Sequence, residues 1–236
     1  VTPMEHALQR ILLEAVSPGV FALHAEEAVP EDLQGKFDDS SRYILVVDAY
    51  DGTANALAGG QQYASMWGIW DKKSEAMLRV AVYFPEFDWL FTAQLGEGVA
   101  CRCGSPLVLT RGAALRTFAR IKRMTDRDVE ACGIVELNET DQHSTALGGG
   151  LALAFDLVQV ALGNIGVLVM REYSPHDLSI PCMIVGEVGG KICDGTSAYS
   201  YIGPEYDFES GQRNELVIAA HSLELAVKVH SVLKRG

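Results

Sequence analysis

Basic residues are scarce in this chain. Acids outnumber Lys and Arg 31 to 19, for a formal charge of −12. Nothing in that balance favours nucleic acid, which asks for clustered Lys and Arg. An acidic protein that acts on phosphate esters would need metal ions to receive the anion. A disulfide framework is also lacking. The five cysteines, Cys101, Cys103, Cys132, Cys182 and Cys193, are odd in number and follow no framework spacing. With no signal peptide visible, a reducing cytoplasm is the expected setting. Cys101-x-Cys103 is at most half a zinc site, because no second Cys/His pair completes four ligands. A long uninterrupted apolar run is missing too. Leu151–Met170 is broken by Asp156, Gln159 and Asn164, and reads as a buried helix followed by a strand rather than a membrane span. Gly148-Gly149-Gly150 lacks the strand, spacing and ribose-binding acid of a dinucleotide loop. The chain opens on Val1, with no initiating Met.

What is present suffices for a sizeable core: 48% of the 236 residues are hydrophobic. A single unit over 1–236 is expected, in two closely packed halves, α+β over 1–140 and α/β over 141–236. Thr2-Pro3-Met4-Glu5 opens a first helix: Thr caps it, Pro suits the first helical position and Glu5 completes a capping box. Helical spacing puts Met4, Leu8, Ile11, Leu12 and Ala15 on its inward face, and Ser17-Pro18-Gly19 ends it. Val20–Leu23 reads as a short strand with Glu26 and Glu27 at its end. Residues 29–42 read as a loop or short helical excursion. After Gly59-Gly60 the pattern turns to period two, with antiparallel strands at Ala64–Trp70, Glu75–Phe84, Trp89–Leu95 and Val99–Arg102. The stretch Arg116–Arg127 is basic and expected to be solvated. A helix is expected to open at Gly148-Gly149-Gly150, with Leu151, Phe155, Val158 and Ala161 on one side. A strand follows at Val167–Met170, then a helix from Ser174-Pro175-His176-Asp177 to Gly189-Gly190. Lys191–Cys193 and Glu215–Ala220 read as strands, and Ser222–Lys234 as a last amphipathic helix. Helices and strands are mixed around a meander, so the class is α+β or layered α/β, not a doubly wound parallel sheet.

The stretch that organises the rest is Tyr43–Asn55. Tyr43-Ile44-Leu45-Val46-Val47 reads as a buried strand. It runs into Asp48-Ala49-Tyr50-Asp51-Gly52-Thr53. Two carboxylates at the end of a buried strand are costly unless a cation neutralises them. Hard divalent ions choose such oxygen-rich sites. Taken alone, the same residues also suit an ordinary polar turn.

Set beside Ala25-Glu26-Glu27 and His176-Asp177, this motif resembles the inositol monophosphatase superfamily of Mg²⁺-dependent, lithium-inhibited phosphatases. That family's pattern is Gly-Glu-Glu, then Asp-Pro-Ile/Leu-Asp-Gly-Thr, then Trp-Asp. Val82-Tyr83-Phe84-Pro85 with Leu90-Phe91-Thr92-Ala93 looks like its central hairpin, and Glu187-Val188-Gly189-Gly190 like its Glu-Ala-Gly-Gly. The resemblance covers nearly the whole chain. It implies a layered αβαβα sandwich of the sugar-phosphatase type with a central antiparallel meander. It implies a phosphomonoesterase acting on a small phosphorylated polyol, sugar or nucleotide, with two or three Mg²⁺ held by Glu26, Asp48, Asp51, Asp177 and the Tyr50 carbonyl. Thr53 with Glu26 and Glu5 would orient the attacking water. Asp51, Gly52, Thr53 and Ala54 would contact the substrate. Homodimers are common in the family, and no membrane or nucleic-acid partner is implied.

The chain departs from the pattern at several places. Ala49 replaces the motif proline, His176 the aromatic before the last aspartate, and Glu5 an aspartate. Pro181 falls inside a helix and is expected to kink it. The family's substrate-selecting acid falls at Met170, with Glu172 two residues displaced, so inositol phosphate is not implied as the substrate. His176 reads equally as a packing residue or a phosphate contact. His6, His24, His143, His221 and His230 show no ligand spacing and read as ordinary histidines. These departures support an alternative, a catalytically weak relative that binds metal or phosphate as a regulator; the complete set of four acids favours the enzyme.

Overall fold

The computed structural model describes residues 2–103, 105–109, 135–138, 152–171, 173–194, 206–208, 210 and 216–233. The basic stretch 116–127, the glycines 148–150, Glu172 and His143 lie outside them. The described elements, in order, are α1 (Pro3–Glu14), β1 (Ala22–Ala25), α2 (Glu31–Gln34), β2 (Tyr43–Asp51), α3 (Thr53–Leu57), β3 (Ala64–Asp71), β4 (Ala76–Phe84), β5 (Trp89–Gln94), β6 (Gly98–Cys103), β7 (Ser105–Leu109) and β8 (Val135–Asn138). They continue with α4 (Leu153–Ala161), β9 (Val167–Arg171), α5 (Pro175–Glu187), β10 (Lys191–Asp194), β11 (Val217–Ala220) and α6 (Leu223–Leu233). Among the described residues no helix is long and apolar enough to cross a membrane.

One sheet runs β1 to β7 in sequence order. β1 is parallel to β2, and every later neighbour is antiparallel, which is the expected meander. A second sheet has the order β10-β11-β9-β8. Their strands β2 and β9 are buried on two sides, and the side chains alternate accordingly. Ile44 and Val46 of β2 face the main core, while Leu45, Val47 and Ala49 face the α1 side with Leu13. On β9, Leu168 and Met170 face the main core, and Val167 and Val169 face α6 through Leu225 and Val229. The layers are therefore α1, the large sheet, α4 with α5, the small sheet, and α6. Double burial is why Tyr43–Val47 and Val167–Met170 read as unbroken apolar runs.

α1 turns a different face inward from the one its apolar spacing predicts. Met4 and Ile11 are 57% and 63% exposed, whereas Glu5, Gln9 and Leu13 are buried. The polar pair is buried with partners for Glu5 and for the Gln9 amide N–H groups, while Gln9 Oε1 has none. Gln9 Nε2 donates to the carbonyls of Glu27 and Ala28 at 2.9 and 3.1 Å, and Glu5 reaches the site described below. Buried polar groups are tolerated when hydrogen-bonded, so the helix is oriented by its polar contacts as much as by Leu13.

α5 is the central beam, packed against both sheets. It runs unbroken through Pro181, whose missing N–H withholds the helical donor from the Asp177 carbonyl. At its far end Glu187 is buried and accepts from the backbone N–H groups of Gly96 and Gly98 at 3.0 and 2.9 Å, tying the helix to the β5–β6 turn. Glu187→Ala strands both donors. It is expected to lower the unfolding free energy by about 3 kcal/mol, read by urea denaturation, while leaving the β2 end of the molecule unchanged.

Candidate functional site

The ends of β1 and β2 and the first turns of α4 and α5 meet at one place. The parallel register pairs Ala25 with Val47, and the Glu26 N–H continues it by donating to the Val47 carbonyl at 3.1 Å. Glu26 and Asp48 thereby emerge side by side from adjacent strands. The pairing of β2 with β3 shifts between Asp48 and Asp51, and this irregularity lets two aspartates of one strand serve one site. The Tyr50 N–H donates to Asp48 Oδ1 at 2.9 Å. Asp51 takes the Leu153 and Ala154 N–H groups at 3.3 and 2.7 Å, donors left over at the start of α4. Asp177 sits in the first turn of α5, where its Oδ2 accepts from the Ser174 N–H at 3.3 Å.

Four carboxyls so confined repel one another. Asp48 is 1% exposed, and its Oδ2 has no donor. Burial raises its pKa well above the ordinary range, and Asp51, Glu26 and Asp177 push it further. Burial likewise raises Glu26, Asp177 and Asp51, the last to about 7 even against its two backbone donors. The donor set is rich in oxygen, negative, and holds a buried lone pair with nothing to accept. It fits a hard divalent cation.

Thr53 and Glu5 form the second part of the site. Thr53 Oγ1 lies within hydrogen-bonding reach of Glu5 Oε1 and at 3.0 Å from the Tyr50 carbonyl. Glu5 Oε2 accepts the Thr2 N–H, and the Thr2 hydroxyl lies 3.3 Å from the Glu5 N–H. Glu5 therefore caps α1 and holds Thr53 at once. Burial would raise its pKa, but the hydrogen bonds from Thr53 and Thr2 outweigh it and hold the carboxyl below its ordinary value. The longer Glu, standing where the family has Asp, reaches the threonine. Gly52 makes the turn with φ +88°, and a Cβ there would meet Ala152 Cβ at 2.7 Å and the Gln62 carbonyl at 2.9 Å. Glycine is required by conformation and by space.

Three features of the site escape sequence reading. His24 and His176, expected to be unrelated, face each other with His24 Nε2 3.3 Å from His176 Nδ1. Their separation in sequence hides the pair; the only signal is His176 standing where the family has an aromatic. His176, Glu26 and Asp177 each offer a ligand atom, and these atoms lie within 4.8 Å of one another. Asp156 is the second feature. It is 7% exposed, its Oδ2 has no partner, and burial followed by the Asp51 charge raises it to about 7. A lone acid in an apolar helix was its signal. Third, Met170 is fully buried in the core between the sheets and cannot touch a ligand.

Residues 1–232 match the sequence profile of the inositol monophosphatase family. Fructose-1,6-bisphosphatase of Pyrococcus furiosus is 26% identical over 210 residues, 85% of this chain and 72% of that protein. A fructose-1,6-bisphosphatase/inositol-1-monophosphatase of Thermococcus kodakarensis is 28% identical over 174 residues, 68% of this chain but only 58% of that protein. Among solved structures, the extragenic suppressor protein SuhB of Bartonella henselae superposes with a TM-score of 0.72 at 21% identity, covering 100% of this chain and 85% of that one. That likeness bears out the layered αβαβα architecture.

Proposed function

Because the chain belongs to the inositol monophosphatase family of phosphatases, we propose that it is a Mg²⁺-dependent phosphomonoesterase acting on a small phosphorylated polyol, sugar or nucleotide. The observation that carries this reading is the convergence of Glu26, Asp48, Asp51 and Asp177 around a buried carboxylate oxygen with no donor. In it, Glu26, Asp48, Asp51, Asp177 and the Tyr50 carbonyl hold the cations. Bound there, the cations supply a water of lowered pKa and neutralise charge on the phosphoryl and leaving oxygens.

The chain's own residues do the rest. Glu5 takes the Thr53 hydroxyl proton in a hydrogen bond, which leaves the Thr53 oxygen lone pair free to accept from a water. Thr53 and Glu26 then orient that water toward phosphorus. Asp51, Gly52, Thr53 and Ala54 face the ester. Met170 leaves polyol selection to other residues, which supports a substrate class wider than inositol phosphate. The regulatory alternative has less support, because a binding module has no need of the Thr53–Glu5 pair beside the four acids. A homodimer working in the cytoplasm completes the proposal, by analogy with the family.

The test is phosphate release from inositol 1-phosphate, fructose 1,6-bisphosphate, histidinol phosphate and a 3′-phosphoadenosine nucleotide, with and without Mg²⁺ and lithium. Mg²⁺-dependent, lithium-sensitive release from at least one is expected; release from none would favour the regulator. Thr53→Val is expected to lower kcat by about a hundredfold while cation binding measured by calorimetry persists. Loss of binding instead would move Thr53 from water positioning to cation retention.

A further inference from the structure

Among the ligand atoms gathered at this site, one is not an oxygen. Resting on the reading of the cleft as a cation site, we propose that His176 Nε2 is a nitrogen ligand to the ion between Glu26 and Asp177, making that position selective for a transition-metal ion of the Co²⁺ class over Mg²⁺.

One pair of tautomers satisfies both contacts of His24 and is the one this proposal adopts. His24 donates one ring N–H to the Phe208 backbone. With that bond made through Nδ1, the His24 Nε2, 3.3 Å from His176 Nδ1, is the acceptor of the second contact. In that arrangement His176 Nδ1 carries the proton, and a neutral His176 presents a lone pair at Nε2. That lone pair lies 3.4 Å from Asp177 Oδ1, which is itself an acceptor. Two acceptors turned toward each other repel unless a cation lies between them. Glu26 supplies the third atom within the same 4.8 Å compass and, though partly desolvated, is the most solvent-exposed of the four site acids, so an ion has an approach.

The chain Phe208 carbonyl, His24, His176 is the kind of outer-shell relay that orients metal-binding imidazoles, in which the nitrogen not bound to metal is held by a hydrogen bond. Phe208 also sets the His24 ring from its side, with ring centroids 5.1 Å apart. Imidazole beside two carboxylates suits first-row transition ions, whose affinity for nitrogen rises from Mn²⁺ toward Co²⁺ and beyond; Mg²⁺ prefers oxygen. Asp48 and Asp51 offer oxygen alone and remain suited to Mg²⁺. The competing arrangement is a protonated His176 paired with Asp177 and no nitrogen on the metal.

The test has two readouts. Metal-free protein is titrated separately with Co²⁺ and Mg²⁺ by calorimetry, and the Mn²⁺-loaded protein is examined by pulsed electron paramagnetic resonance for ¹⁴N coupling. Co²⁺ is expected to bind at least about tenfold more tightly than Mg²⁺, and Mn²⁺ to show imidazole nitrogen. His176→Phe removes the ¹⁴N signal and lowers the Co²⁺ preference but keeps Mg²⁺ binding. His24→Phe, which leaves the ligand but not its orientation, weakens Co²⁺ binding about tenfold. If Mg²⁺ and Mn²⁺ bind with no ¹⁴N coupling in the unmutated protein, or if His176→Phe retains it, the nitrogen ligand is wrong and the cation site stands. If no divalent cation binds, both readings fall. Should the Phe variant fail to fold, the signal of the unmutated protein decides.

Discussion

Asp48→Asn is expected to abolish phosphatase turnover, on the order of a thousandfold or more, while raising the melting temperature of the metal-free chain. Both effects have one cause. Asp48 is the most deeply buried of the four acids, and its Oδ2 accepts nothing while three other carboxyls press on it. In the presence of a cation that charge is what binds; in its absence the charge is a cost. Asparagine keeps the Oδ1 that takes the Tyr50 N–H and puts a donor where the undonated oxygen was, beside Glu26. A few kcal/mol of relieved repulsion corresponds to roughly 2–4 °C per kcal/mol in a chain of this size. Calorimetry with and without Mg²⁺, alongside phosphate release, reads both. A variant that keeps most of its activity would show that Asp48 is not part of the machinery. One that loses activity and melts lower would mean that the acids are held by contacts other than the ones described.

Without divalent cations, the melting temperature is expected to fall as pH rises from about 4 to about 7, and to level off above. The direction follows from Asp51 and Asp156, both raised from 3.8 to about 7, with Asp48, Asp177 and Glu26 raised in the same sense; together these acids outweigh His176, which burial lowers to about 4 and which acts in the opposite sense. A carboxyl with a raised pKa binds its proton more tightly in the folded chain than in the unfolded one. Its contribution is therefore full below the unfolded value and is lost as pH climbs to the folded one. Moving one carboxyl from 3.8 to about 7 corresponds to about 4 kcal/mol, and two that repel each other do not simply add. Mg²⁺ should flatten the slope by stabilising ionised Asp51. Asp156→Asn should flatten it without any cation, because its unpartnered Oδ2 is replaced by a group that cannot ionise. A melting temperature that instead rises from pH 4 to pH 7 in chelator would contradict the burial of these acids.

The order of the elements and the meander can be read from local signals, while the αβαβα layering and the grouping of the four acids come from the resemblance to the inositol monophosphatase superfamily. The meander strands alternate with period two and are separated by turns. Asp48 and Asp51 end an apolar strand, and Asp177 falls in a helix's first turn behind Ser174-Pro175. What stayed hidden is what tertiary packing alone decides. Apolar periodicity put Met4 and Ile11 inside; the contacts of Gln9 with the Glu27–Ala28 backbone and of Glu5 with Thr53 turn the helix the other way. Local sequence shows Glu5 only as a cap; its place beside Thr53, 48 positions away, is implied by the family resemblance and not by spacing. His24 and His176 meet across 152 residues, beyond any spacing rule. Met170 and Asp156 each lie in an apolar run, where sequence shows their burial but not which neighbours they acquire.

The most direct test of the convergence of Glu26, Asp48, Asp51 and Asp177 on bound cation is anomalous diffraction from crystals soaked in Mn²⁺. The account predicts at least one strong peak at about 2.1–2.3 Å from carboxylate oxygens of this set, lost on soaking the Asp48→Asn variant. Peaks confined to the outer surface, or none at this cleft while Mg²⁺-dependent turnover persists, would contradict it.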